Sequence, residues 1–99
     1  MTRGPRKLIT IVAEAGLESR LVAMIHAKGA KGHTISPAHG EGPRGQRAGD
    51  ISGGNIRLET VVTPDALAGI TEALETDYFP HYAVSCWVAE VEVIRQERF

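Results

Sequence analysis

A single cysteine, Cys86, excludes an internal disulfide, and with it two-cysteine redox motifs and zinc sites built on cysteine pairs. No apolar run approaches the length of a membrane span. The N-terminus, Met1-Thr2-Arg3-Gly4-Pro5-Arg6-Lys7, is basic, but no long apolar stretch follows it before Glu14, so it does not read as a signal peptide. A soluble, cytoplasmic chain is expected. Net charge is also nearly absent, at −1, which gives no reason to expect a nucleic-acid or acidic-membrane partner. The charge is unevenly placed: residues 1–57 hold nine Lys/Arg and four Asp/Glu, residues 58–99 two and eight. An anion-attracting surface therefore belongs to the first half.

What is present fits one domain over residues 1–99. Lys7 to Val12 is short, β-branched and apolar on both alternating faces, which predicts a strand. After Gly16, Leu17, Leu21, Met24 and Ile25 recur along one helical face, with the stem of Lys28 at its edge and Gly29 as the stop. His33 to Ser36 predicts a short strand ended by Pro37. Asn55 to Val62 predicts a third strand. Thr63-Pro64 is an N-cap with proline at the first helical position, and the helix it opens buries Leu67, Ile70 and Leu74. A turn with Asp77, Pro80 and His81 leads to a last strand from Val84 to Ile94. The order βαββαβ predicts an α+β, ferredoxin-like sandwich: an antiparallel sheet with both helices on one face.

Two helices cover one face of such a sheet, and the other should then be polar in a monomer. Instead, Leu8, Thr10 and Val12 alternate with Ile9 and Ile11, and Ser85, Trp87, Ala89, Val91 and Val93 alternate with Val84, Cys86 and Val88. Apolar side chains on both faces predict a homo-oligomer that buries the second one.

The segment from Ala38 to Asn55 has no periodicity, six glycines and three apolar side chains. Loops of that length in a small domain are functional or disordered. Its core, Gly40-Glu41-Gly42-Pro43-Arg44-Gly45-Gln46-Arg47, follows Gly32-His33-Thr34. Glycines let backbone N–H groups close on phosphate, guanidinium forks match its oxygens, and Thr34 adds a hydroxyl. Composition alone fits a solvated hairpin equally well. The segment is neither a phosphate-binding Gly-Lys-Ser/Thr loop nor a dinucleotide fingerprint.

Gly29-Ala30-Lys31-Gly32-His33-Thr34, the Gly40–Arg47 run and Asn55-Ile56-Arg57-Leu58-Glu59 together resemble the PII signal-transduction superfamily. The likeness is greatest to the PII-like branch encoded with carboxysomes or bicarbonate transporters, and Asp77 to Ala83 is also similar to that branch. The resemblance implies a homotrimer with adenine nucleotide in three intersubunit clefts. It also implies a long T-loop, here at about 38–55, that reports occupancy to a protein target such as a bicarbonate transporter or carboxysome component. Carried over by position, Thr34 meets the base or ribose, Gly40 and Gly42 face the phosphates, and Arg44 and Arg47 bind them. Tyr82, Ala83 and Val84 form a second nucleotide-contacting segment, and Gly45, Gln46, Arg57 and Arg95 are further candidate anion contacts.

Departures from the family pattern refine this. Better-known members carry a Thr-Gly-x-x-Gly-Asp-Gly-Lys loop where this chain has Thr76 to Tyr82, and the missing lysine favours AMP or ADP over ATP. Arg44 replaces a glutamine used with magnesium and 2-oxoglutarate, so that ligand is not implied. No tyrosine lies between Ala38 and Asn55 to be uridylylated, and no cysteine follows Cys86 to build a redox tail. The expected function is a non-enzymatic sensor of ADP or AMP, with bicarbonate as a second ligand and no obligatory cofactor.

Other residues are weaker candidates. His26, His33, His39 and His81 lack metal-ligand spacing, so no metal is expected. Trp87 reads as core or interface packing, and Glu90 and Glu92 as a solvated or intersubunit edge. No catalytic residue is expected, because no acid–base or nucleophile constellation is present. Slow nucleotide hydrolysis, with Glu41 as its only candidate base, and a trimeric metal-tolerance protein like the CutA group remain the alternatives.

Overall fold

A computed structural model describes residues 2–40 and 54–99. Strand β1 (Arg3–Glu14) is followed by a 3-10 turn (Ala15–Leu17), helix α1 (Glu18–Ala27) and strand β2 (Thr34–Ala38). Strand β3 (Asn55–Val62) then leads into helix α2 (Pro64–Ala73), strand β4 (Ser85–Ile94) and a last 3-10 turn (Gln96–Arg98). The four strands form one antiparallel sheet in the order β2-β3-β1-β4. This is the expected ferredoxin-like arrangement.

Local chemistry explains the helix ends. Gly29, at φ 117°, closes α1: its N–H bonds the His26 carbonyl at 3.2 Å and the Ala30 N–H reaches the Ile25 carbonyl at 3.0 Å. That pair of bonds is the Schellman stop, which needs a left-handed residue where glycine bears no Cβ penalty. The Thr63 Oγ1 accepts from the Ala66 N–H at 3.2 Å and caps α2, with Pro64 at its first position. The stem of Lys28 lies against Gly69 of α2, close enough that a Cβ there would sit 3.3 Å from its Cδ.

The register sorts the strand residues into two faces. Ile9 pairs with Thr60 and Val88, and Ile11 with Leu58 and Cys86. This face takes the helices: Ile9, Ile11, Leu58, Leu21, Ile25, Ile70 and Leu74 are fully buried together. Each such side chain contributes roughly 1.5–3 kcal/mol by leaving water. The other face carries Leu8, Thr10 and Val12 of β1, Arg57, Glu59 and Val61 of β3, and Trp87, Ala89 and Val91 of β4. No helix among the described residues covers it.

Several boundaries differ from the sequence reading. β1 begins at Arg3 rather than Lys7, because Arg3 to Arg6 pair with Val91 to Ile94 of β4. Pro37 does not end β2: it pairs with Ile56, and the strand runs on to Ala38. β2 is an edge strand, where proline's missing N–H is tolerated. The expected turn after α2 begins as helix, continuing through Leu74–Tyr78 with the Phe79 N–H on the Leu74 carbonyl at 2.8 Å, a wide π-type turn. β4 begins at Ser85, one residue after the expected Val84. Trp87 is 54% exposed on the uncovered face, so packing in this chain's own core is ruled out for it. Of the segment from Ala38 to Asn55, residues 41–53 lie outside the described residues.

Candidate functional site

Thr34 opens β2 and faces Glu59 across the ladder; Ser36 faces Arg57, and Ala38 faces Asn55. Period-two alternation therefore sets Thr34, Ser36, Arg57 and Glu59 on the uncovered face. From Thr34 to Ala38 this polar track runs about 13 Å, at roughly 3.3 Å per residue. Two concavities follow it. One, of about 520 Å³, is lined by Thr34, Glu59, Leu8 and Val61, with Lys31, Arg98 and Phe99 among its other walls. The other, of about 550 Å³, is lined by Ser36, Gly40, Arg57, Val12 and Trp87.

The first concavity joins apolar walls to a carboxylate. Glu59 accepts a hydrogen bond from the Thr10 Oγ1 at 2.8 Å and has the Arg57 Nε 3.9 Å away. A carboxylate held this way retains acceptor capacity for a ligand amine or hydroxyl. The second concavity offers a guanidinium, hydroxyl-bearing Ser36 and an indole face, the chemistry of a ligand with an anionic end.

The predicted residues thus divide. Thr34, Gly40 and Arg57 share one face, at the β2 side of the sheet. Tyr82, Ala83 and Val84 lie just before β4, at the opposite edge. There the Tyr82 hydroxyl accepts from the Arg20 Nη2 at 3.1 Å, and the guanidinium stands 5.2 Å from the centre of the same ring. The bond to Tyr82 raises the Arg20 pKa above its ordinary value. Tyr78 packs beside Tyr82 and is buried, which pushes its phenol up. One chain does not bring the two groups together. Arg95 sits at φ 64° after β4, with its N–H on the Thr2 carbonyl at 2.7 Å, and lines neither concavity. Gly42, Arg44, Gly45, Gln46, Arg47 and Glu41 lie outside the described residues.

Glu59, Ser36 and Trp87 join the site although the sequence reading did not assign them to it. The signal was available for the first two, since alternation from Thr34 and Arg57 puts them on the same face. Arg20 gave none, because its partner Tyr82 is distant in sequence. Glu90 and Glu92 do not form a carboxylate pair: Glu90 meets the Lys7 Nζ at 2.5 Å and Glu92 the Arg3 Nη1 at 3.3 Å. The Lys7 hydrogen bond lowers the Glu90 pKa. His26 and His33 hydrogen-bond through Nε2 and Nδ1 at 2.9 Å, and the His26 Nδ1 lies 2.9 Å from the Ala30 carbonyl. Among the described residues no three His, Cys, Asp or Glu side chains cluster as a metal site, and no helix is long and apolar enough to cross a membrane.

Solved structures share this fold. A candidate PII-like signalling protein from Thermus thermophilus is 49% identical, with 99% of this chain and 98% of that one covered and a TM-score of 0.85. CPII, a nitrogen regulatory PII-like protein from Thiomonas intermedia K12 solved with ADP, AMP and bicarbonate, is 20% identical over 99% and 96% of the two chains, with a TM-score of 0.88. GlnK of B. subtilis, solved with ATP, is 18% identical over 88% and 84%, with a TM-score of 0.64. No curated protein matches the sequence. The sequence profile described as nitrogen regulatory protein P-II matches residues 6–98, nearly the full length of the βαββαβ unit, and the chain belongs to that family.

Proposed function

We propose that this chain is a regulatory sensor of adenine nucleotides, acting as a homotrimer that binds ADP or AMP in the clefts between its subunits. The observation that carries the reading is the division of the site. Thr34, Arg57 and Gly40 stand on an uncovered sheet face at one edge, and Tyr82, Ala83 and Val84 at the other. Both halves meet one ligand when the β2 side of one copy abuts the β4 side of the next, a head-to-tail contact that closes into a ring. The apolar share of that face (Leu8, Val12, Ala89, Val91 and Trp87) supports such burial.

In this reading the nucleoside lies against Thr34 and Glu59, and the phosphates run toward Gly40, Gly42, Arg44 and Arg47, with Gly45, Gln46, Arg57 and Arg95 as further anion contacts. Bicarbonate is the second ligand, by analogy with CPII, held as a planar anion by a guanidinium fork. Occupancy is passed through the loop at 38–55 to a protein target, a bicarbonate transporter or a carboxysome component. The sensor is cytoplasmic, and reaches the inner membrane or a carboxysome only through that target. It performs no catalysis.

Calorimetric titration with ADP, AMP and ATP, each with and without bicarbonate, tests the assignment. Saturable binding with ADP or AMP tighter than ATP is expected. Binding of none of the three would overturn it.

A further inference from the structure

The chain reversal that ends α1 brings His26 and His33 together. The His26 Nε2 lies 2.9 Å from the His33 Nδ1, with the two rings edge to face at 73°. Backbone contacts fix the segment that carries both. The Gly29 N–H bonds the His26 carbonyl, and the Ala30 N–H bonds the Ile25 carbonyl. The buried Thr60 hydroxyl donates to the Gly32 carbonyl at 2.6 Å and so ties the residue before His33 to β3. The Ala30 carbonyl then stands 2.9 Å from the His26 Nδ1. A carbonyl only accepts, so the proton of His26 sits on Nδ1 and its Nε2 presents a bare lone pair. An outer hydrogen bond of this kind orients metal-ligating imidazoles and raises their basicity.

We propose that His26 and His33 form a two-imidazole site for a divalent transition-metal ion, copper(II) before nickel(II) or zinc(II). Two nitrogens about 2.0–2.1 Å from one ion, at right angles around it, stand roughly 2.9 Å apart. The pair already has that separation. The bare Nε2 of His26 is a ligand as it stands. His33 is exposed, so its ring is free to turn. Turning it while its proton moves from Nδ1 to Nε2 exchanges the hydrogen between the two nitrogens for the ion, and no proton is lost. Imidazole donors without a carboxylate select against magnesium and calcium, and copper(II) leads the affinity order at nitrogen ligands. Among the described residues no third His, Cys, Asp or Glu joins the pair, so water completes the coordination. Only the reversal at Gly29 turns His33 back onto the helix end, which is why sequence spacing concealed the pair. The proposal does not depend on the nucleotide reading.

The test is calorimetric titration of chelator-treated protein with copper(II), nickel(II) and zinc(II), on the wild type and on His26→Gln, His33→Gln, His39→Gln and His81→Gln. One copper ion per chain is expected, with nickel and zinc weaker. His26→Gln and His33→Gln should each weaken copper about tenfold or more, since even an outer partner of a ligating histidine commands that factor. His39→Gln and His81→Gln should keep wild-type affinity. Nitrogen NMR of the wild-type imidazoles during zinc titration gives a second reading that needs no variant. The His26 Nε2 and His33 Nδ1 resonances should move together, and those of His39 and His81 should stay. Wild-type copper affinity in either His26→Gln or His33→Gln overturns the proposal. So does a zinc titration that leaves the pair unshifted, or a wild type that binds none of the three metals.

Discussion

Arg44 and Arg47 bring paired guanidinium groups into a glycine-rich stretch that follows directly from Gly40, one wall of the concavity beside Arg57. If they hold phosphate, each makes a charge-assisted hydrogen bond of roughly 1.5–3 kcal/mol. Alanine at either should weaken ADP about tenfold to a hundredfold, at about 1.4 kcal/mol per factor of ten, and leave adenosine nearly unchanged. Lysine should rescue only part, because it lacks the fork. Calorimetry on both variants reads this, and unchanged ADP affinity would remove the phosphate role. Cys86 gives a second residue-level expectation. Its thiol is half-buried beside Ile11 on the helix-covered face, and burial, with the nearby Glu75 charge, pushes it above the ordinary value of 9.0. The folded state therefore favours the neutral thiol, and that contribution is present below the ordinary thiol pKa and lost as pH rises through the shifted one. Alkylation should be slow at neutral pH and accelerate only in alkaline solution. Rapid labelling at neutral pH would contradict it.

At the scale of elements, the caps are specific enough to test. Thr63→Ala removes the hydroxyl that accepts from the Ala66 N–H and should destabilise the fold by about 1 kcal/mol in chemical denaturation. Gly29→Ala forces a side chain into a left-handed conformation and 3.2 Å from the Ala66 Cβ, costing at least roughly 1–2 kcal/mol. An unchanged denaturation midpoint in either would show that the helix ends are held by something else. Both caps were legible in the sequence, since Thr-Pro before an apolar helix and glycine after one have fixed meanings. Other boundaries were not. The strand character of Arg3 to Arg6 comes from pairing with β4, a non-local partner that no local pattern announces. Pro37 was read as a stop because proline breaks ladders, whereas its place at a sheet edge decides otherwise. The site shows the same split: Thr34 and Arg57 are readable by alternation, while Arg98 and Phe99 enter only because the tail folds back.

At the scale of the whole molecule, the described residues form a sheet with one face filled by helices and the other left open by them. Trp87 shows where sequence pattern and fold part company: its neighbours predicted burial, and the chain leaves it half exposed on the face that Leu8, Thr10 and Val12 share. Placing a charge there should be nearly neutral for a monomer and disruptive for an assembly. Trp87→Lys is expected to shift light-scattering mass from trimer to monomer while retaining secondary structure, and a wild type that is monomeric at micromolar concentration would contradict the assembly. The central claim is that each nucleotide lies between two copies, on Thr34 of one and Ala83 of the next. Subunit mixing tests it most directly. A bulky Thr34→Trp variant and an Ala83→Trp variant, each unable to bind ADP, are unfolded together and refolded as mixed trimers, and ADP binding is titrated. In a head-to-tail ring, about a quarter of the clefts would then pair two intact halves. Recovery of binding at about that fraction is the predicted result; mixed trimers that bind no ADP would place both residues in a site within one chain and contradict the account.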